Sequence, residues 1–370
     1  MTRARALAAL GAAAVAVALV VGAVAVRDRV AGDRFDLLRW QIDTAPAKAA
    51  ARIGAPFRSE PDADEALRRY FAADATAEDR RAMENAVERL IEARIDAVLR
   101  DLGVHARLRL PGTAMPPVSI ELAAPPRVLV VSPRSEIRRE RADLLRPDLM
   151  LADAEAIEAS TEAGDAGVSA LVVGSGGVAT YPAIVVGGAS YAATVETAAH
   201  EWVHHYLTFY PLGLRYFGSN DLRTVNETVA DIVGEEVAAI VIERWGDPTV
   251  APPAAATPTP AIDRDAVLRD LRVEVDALLA DGRVEEAEAR MEAVRLELWD
   301  ADVRIRRVNQ AYFAWFGTYA ARPDAVDPIG AQLREVRARS DSLAQFLERV
   351  RGIGSREDVE TLYREVGGEG

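Results

Sequence analysis

The sequence predicts an α+β fold that is predominantly helical, with a small sheet and a helical C-terminal part. Three observations carry this. Apolar residues recur at three- and four-residue steps through residues 61–103, where Met83, Val87, Leu90, Ile91, Ile95, Val98 and Leu99 share one face and Gly103 marks a stop. Short β-branched runs, VSIEL and RVLVVS and then residues 167–186, break the helical pattern in the middle of the chain. Residues 262–318 and 330–365 return to helical periodicity, with the acidic–basic alternation of solvated faces.

Taken in order, Ala6 to Val26 forms an uncharged run between Arg3/Arg5 and Arg27. Its length meets the ~20 residues a helix needs to cross the hydrocarbon core. The expectation is a signal anchor over 1–29, hence a single-pass cell-membrane protein that meets the lipid bilayer through residues 6–26 and carries an extracytoplasmic catalytic region. The alternative is secretion after cleavage near Ala25, since Ala23-Val24-Ala25 reads as a small-residue cleavage site. Residues 30–60 read as an irregular stem with a short helical start. A catalytic region is expected over 61–246, with a charged helix at about 134–162. Gly174-Ser175-Gly176-Gly177 is read as the turn of a hairpin joining Gly167–Val173 to Val178–Val186. The glycine run makes a weak phosphate loop, because neither a lysine nor a helix start follows it. Helices are expected from about Tyr191 to Phe209 and from Asp221 to Arg244. The Pro/Ala/Thr stretch 247–261 reads as a linker, and 262–370 as a helical region that could dock a partner protein.

Composition narrows the chemistry. Against 44 Lys and Arg stand 58 Asp and Glu, a formal net charge of −14, so a nucleic-acid partner is not expected. The 370 residues contain no cysteine, which excludes disulfides, thiolate catalysis and cysteine-bound metals. Of four histidines, three (His200, His204 and His205) fall within one hexapeptide.

His200-Glu201-Trp202-Val203-His204 places two imidazoles at i and i+4, on one helix face, where both can reach a single ion. Glu201 lies about 100° round the helix, near enough to reach a water at that ion. A hydrolytic zinc site uses three protein ligands and keeps one position open. His205 is on the wrong face and His105 is remote, so the third ligand must be a carboxylate. Asn226-Glu227-Thr228-Val229-Ala230-Asp231 supplies Glu227 as ligand, with Asp231 one turn on to hold the far N–H of a histidine. One Zn²⁺ is the expected cofactor.

H-E-x-x-H followed by N-E-x-x-A-D resembles the gluzincin metallopeptidases, the thermolysin-like clan. The resemblance covers residues 185–245. It implies His200, His204 and Glu227 as ligands, Glu201 as general base, Asp231 as the carboxylate that supports a ligand histidine, and a peptide or protein substrate. Asn309-Gln310-Ala311 and Gly317-Thr318-Tyr319 are loosely similar to predicted bacterial aminopeptidases of the same clan. Two departures stand out. The clan's oxyanion-stabilising downstream histidine is absent, because no histidine follows His205, and the G-x-M-E-N segment of the aminopeptidase branch has no counterpart. Another donor must polarise the carbonyl; Tyr216 and Tyr319 are the candidates. The competing expectation is a membrane-anchored non-catalytic zinc-binding or scaffold protein with a degenerate site, although no fourth ligand that would close a structural site is evident.

Overall fold

A computed structural model describes residues 32–54, 60–104, 114–188, 190–249 and 262–367. Among these the fold is α+β and mostly helical. Its elements are α1 (Leu37–Gly54), α2 (Glu60–Phe71), α3 (Ala77–Asp101), β1 (Ile120–Ala123), β2 (Arg127–Pro133), β3 (Arg141–Leu145), α4 (Leu151–Gly164), β4 (Val168–Gly174), β5 (Gly177–Val178) and β6 (Ala183–Val186). Then come α5 (Tyr191–Leu207), α6 (Pro211–Leu214), α7 (Asn220–Trp245), α8 (Arg264–Ala280), α9 (Val284–Asp300), α10 (Gln310–Phe316), α11 (Ile329–Ala338), α12 (Leu343–Val350) and α13 (Arg356–Glu365).

The membrane expectation is corrected at this point. Among the described residues no helix is long and apolar enough to cross a membrane. Residues 6–26, which carried the anchor, and Ala25, which carried the cleaved alternative, lie outside the described residues. No cell-membrane or extracytoplasmic placement is retained.

The strands form two three-stranded sheets, in the orders β3-β2-β4 and β1-β6-β5. Both neighbours of β2 run antiparallel to it, while β1 and β6 are parallel. The hairpin expected over 167–186 is therefore replaced by a crossover: β4 ends one sheet, the glycine segment leaves it, and β5–β6 join the other. The reason lies in β2. Its run RVLVVS has apolar residues on both faces, so it is a central strand, and it takes β4 as a partner. Val128 and Val130 pack with Leu171 against α8, α9 and α10, while Leu129 and Val131 pack with Ala170 and Val172 under α4.

Two further expectations change. Residues 134–162 are not one helix, since Arg141–Leu145 pairs with β2 before α4 begins. The irregular stem is largely α1, which continues through Pro46.

Three of the four sheet edges are closed by other groups. Along β4, the Val172 and Ala170 amides donate to Glu158 and Glu162 of α4. Arg306 and Arg307 pair with those carboxylates. Along β1, the Ile120 and Leu122 amides donate to Glu92 and Glu88 of α3, with buried Lys48 between them. The free side of β3 is met by Arg34 and Phe35. The edge strand β5 lines the cleft described below.

The main core joins α3, α5 and α7 with β1, β6 and the late helices α11–α13. Most of the expected linker, residues 250–261, lies outside the described residues. Beyond it the chain contributes to two cores, α8–α10 on the first sheet and α11–α13 against α7.

Candidate metal centre and active-site cleft

Helices α5 and α7 supply the central residues. Ser190 and Ser219 start them, each side-chain oxygen accepting an amide of the first turn, from Ala193 and Leu222. The helices cross closely at Gly234, where a β-carbon would lie 3.1 Å from the Glu196 carbonyl and 3.2 Å from His200 Cβ. A larger residue would push α7, and with it Glu227 and Asp231, away from the histidines.

The structure brings His200, His204 and Glu227 together. Their Nε2 atoms stand 3.0 Å apart, and the Glu227 Oε2 lies 3.3 Å from His200 Nε2 and 3.6 Å from His204 Nε2. All three are drawn from inward faces; Glu227 is buried and both imidazoles are nearly so. The outer nitrogens are held. His200 Nδ1 is 2.9 Å from Asp231 Oδ1, and His204 Nδ1 donates to Asn226 Oδ1 at 2.7 Å. The Asn226 amide group donates in turn to the Leu212 carbonyl at 3.3 Å, so its oxygen must face the histidine. With a proton fixed on each Nδ1, each Nε2 faces the common centre, where it can ligate a metal that displaces any proton it carries.

The electrostatics follow from burial and pairing. Desolvation works against charge on His200, yet its bonds to Asp231 and Glu227 outweigh it and hold its pKa well above the ordinary value. His204 is raised for the same reason, burial again opposing and Glu227 prevailing. Burial would raise Glu227, but the two histidines keep its pKa well below the usual carboxylate range. These groups share protons that a divalent cation would displace. The donor set of two neutral imidazoles and one carboxylate, with no thiolate, suits Zn²⁺.

Glu201 is buried beside this cluster and its carboxyl is raised, chiefly by burial. It sits under β5. A β-carbon at Gly177 would be 2.5 Å from Glu201 Oε1 and 2.8 Å from the Ile184 carbonyl, so only glycine fits there. His205 faces elsewhere: its Nε2 donates to the Thr180 carbonyl at 2.6 Å, and burial lowers its pKa to about 4.

The two tyrosines part company. Tyr216 donates to Glu227 Oε1 at 2.5 Å, which orients the carboxylate and spends the hydroxyl. Tyr319 follows α10, and the Ala320 amide donates to Thr228 Oγ1 at 3.2 Å, tying that segment to the turn that carries Glu227. Its ring lies 6.4 Å from the His200 ring, and its hydroxyl has no hydrogen-bond partner among the described residues. Burial, then Glu227, pushes its pKa well up, so it keeps its proton.

His200, Glu201, His204, Tyr216, Asn226, Glu227, Asp231 and Tyr319 line one cleft of about 840 Å³, together with Gly174–Ala179, Trp315 and Phe316. Sequence reasoning quoted Asn226 without giving it a role and read Gly177 only as a turn. A glycine at a strand start also marks a close approach to its backbone, and that signal was available. The orienting bond from Tyr216 had no sequence signal. No family model, no curated protein and no solved structure matches this chain.

Proposed function

We propose that the chain is a zinc-dependent peptidase of the gluzincin kind, hydrolysing peptide bonds with Glu201 as general base. The observation that carries this reading is the constellation itself: two Nε2 atoms and one carboxylate oxygen converge, each imidazole is oriented by a separate partner, and a buried carboxyl stands beside them in a cleft. Tyr319, just after α10, lines the same cleft.

His200, His204 and Glu227 would hold the zinc. Bound there, the ion would act as a Lewis acid and bring the pKa of a coordinated water toward about 7. Asp231 and Asn226 keep both imidazoles turned inward. Glu201 takes a proton from the attacking water and delivers it to the leaving amine; its raised pKa suits a group that must both accept and return a proton. Tyr319, with an uncommitted and firmly protonated hydroxyl, donates to the carbonyl oxygen as negative charge develops. Tyr216 holds Glu227. The edge at β5, beside Glu201, gives an extended peptide backbone a strand to pair with.

The test is zinc content by mass spectrometry together with cleavage of a peptide library, with and without chelator. One zinc per chain and chelator-sensitive cleavage are expected. A protein that takes up no zinc, or cleaves equally well in chelator, overturns the reading.

A further inference from the structure

The cleft has an uneven charge distribution that the peptidase reading does not use. Four arginines line it: Arg139, Arg141, Arg223 and Arg322. Arg141 is paired with Asp143 at 2.7 Å and Arg322 with Asp324 at 3.0 Å. The other two have no carboxylate partner among the described residues. Arg139 lies in the segment between β2 and β3, its guanidinium 5.4 Å from the Trp315 ring centre. The carboxylates beside it are engaged elsewhere, Glu136 and Glu140 both with Arg138. Arg223, on the first turns of α7, stands 5.7 Å from the Tyr216 ring centre and donates only to the side-chain amide oxygen of Asn220, at 2.5 Å.

Many arginines of the chain meet an acid, including those of the late helices with Glu235, Glu236 and Asp327, while others, such as Arg80 and Arg269, donate to backbone carbonyls. What sets Arg139 and Arg223 apart is that they share one cleft. Two guanidiniums without acids, facing one cleft and held over aromatic rings, represent electrostatic potential left for something else. Burial, and Arg139 after it, disfavours the charge on Arg223, while Tyr216 and Glu227 favour it; an anion bridging the two guanidiniums would offset their mutual repulsion. Both arginines also lie on the tyrosine side: each acts on Tyr216, and Arg139 on Tyr319 as well. The same cleft is also lined by Glu196, Glu201, Glu227, Asp231 and Glu235 of α5 and α7.

We propose that Arg139 and Arg223 form a carboxylate-binding subsite, so that the preferred substrate is a peptide with an anionic group close to the scissile bond on the tyrosine side of the cleft. This rests on the peptidase reading for its placement, but not for its test. The carboxylate has two sources, an Asp or Glu side chain within the peptide or the peptide's own C-terminus. A planar guanidinium fork over an aromatic ring matches either one bidentately, with the ring excluding water from one side.

The experiment uses the full chain and four peptides of one sequence, with Glu or Gln at the position next to the cleaved bond and a free or amidated C-terminus. Hydrolysis by zinc-loaded protein is measured alongside equilibrium binding to Glu201→Gln protein, which reads the subsite whether or not turnover occurs. Charge-assisted hydrogen bonds of this kind correspond to a preference of about 10- to 100-fold for the peptide that carries the carboxylate. Arg139→Gln and Arg223→Gln are expected to bring that ratio toward one, while Arg139→Lys retains part of it. If Glu over Gln sets the preference, the source is a side chain; if the free over the amidated end does, it is the terminus. Equal binding of all four peptides by Glu201→Gln protein overturns the proposal, as does an unchanged ratio in both arginine variants. Absence of cleavage with a preserved binding preference would instead remove the peptidase reading and leave the subsite.

Discussion

Gly177→Ala is the substitution whose outcome the geometry fixes most closely. Its new β-carbon would stand 2.5 Å from Glu201 Oε1 and 2.8 Å from the Ile184 carbonyl. Ordinary contact begins near 3.4 Å, so the carboxylate must retreat by about 1 Å or β5 must lift from β6. Displacement of a catalytic group on that scale costs roughly 100-fold in rate. Overpacking of this kind typically costs about 1–3 kcal/mol of stability, a fall of a few degrees in Tm. The contact falls on the Glu201 side chain and on none of the three zinc ligands, so zinc content should not change. Gly176→Ala is the matched control, because its nearest neighbour would be Thr197 Cγ2 at 3.9 Å. The assay is kcat/KM on one cleaved peptide, with zinc content and thermal unfolding measured on the same preparations. Wild-type kcat/KM in Gly177→Ala protein would refute the placement of Glu201 under β5, and an equal loss in Gly176→Ala would refute its specificity.

Further outcomes follow from the same residues. Asp231→Ala and Asn226→Ala each free one imidazole and should weaken zinc binding about 10- to 100-fold by competition titration, with the chain still folded. Tyr319→Phe should lower kcat about 100- to 1,000-fold with zinc retained, whereas Tyr216→Phe should act through zinc affinity; the reverse pattern exchanges their roles. The raised pKa values of His200 and His204 mean that their protonated forms stabilise the metal-free fold below the ordinary histidine pKa, and that this contribution is lost as pH rises through the folded values. Zinc must displace those protons, so the gain in Tm on adding zinc should grow as pH rises above the ordinary histidine value of about 6.5 in calorimetric scans. A gain that shrinks with pH contradicts the shared-proton picture.

Much of the site was legible because helical spacing is rigid. Positions i and i+4 place His200 beside His204, and Glu227 beside Asp231, wherever the helices go. What spacing could not convey is how α5 and α7 cross. That is set by Gly234 and by the apolar core, and it decides that Asp231 serves His200 while Asn226 serves His204. The helical share of the fold was likewise readable from periodicity in α3, α5 and α7. Strand pairing was less so, because a glycine-linked pair of β-rich runs looks like a hairpin locally, and only the two-faced burial of β2 shows that it takes β4. The helix α1 was hidden by Pro46, which it accommodates. The edge-closing roles of Glu88, Glu92, Glu158 and Glu162 could not be read, since nothing local distinguishes a carboxylate that will meet a backbone amide. The unpaired arginines were invisible for a related reason: pairing is a property of the folded chain.

The most direct measurement of the central claim is peptide hydrolysis by Glu201→Gln protein at a zinc content equal to that of the wild type. The substitution keeps the side chain's shape and leaves His200, His204 and Glu227 in place, removing only the ability to take a proton. One zinc per chain with hydrolysis reduced at least 100-fold is the predicted result; peptidase activity at the wild-type level contradicts it.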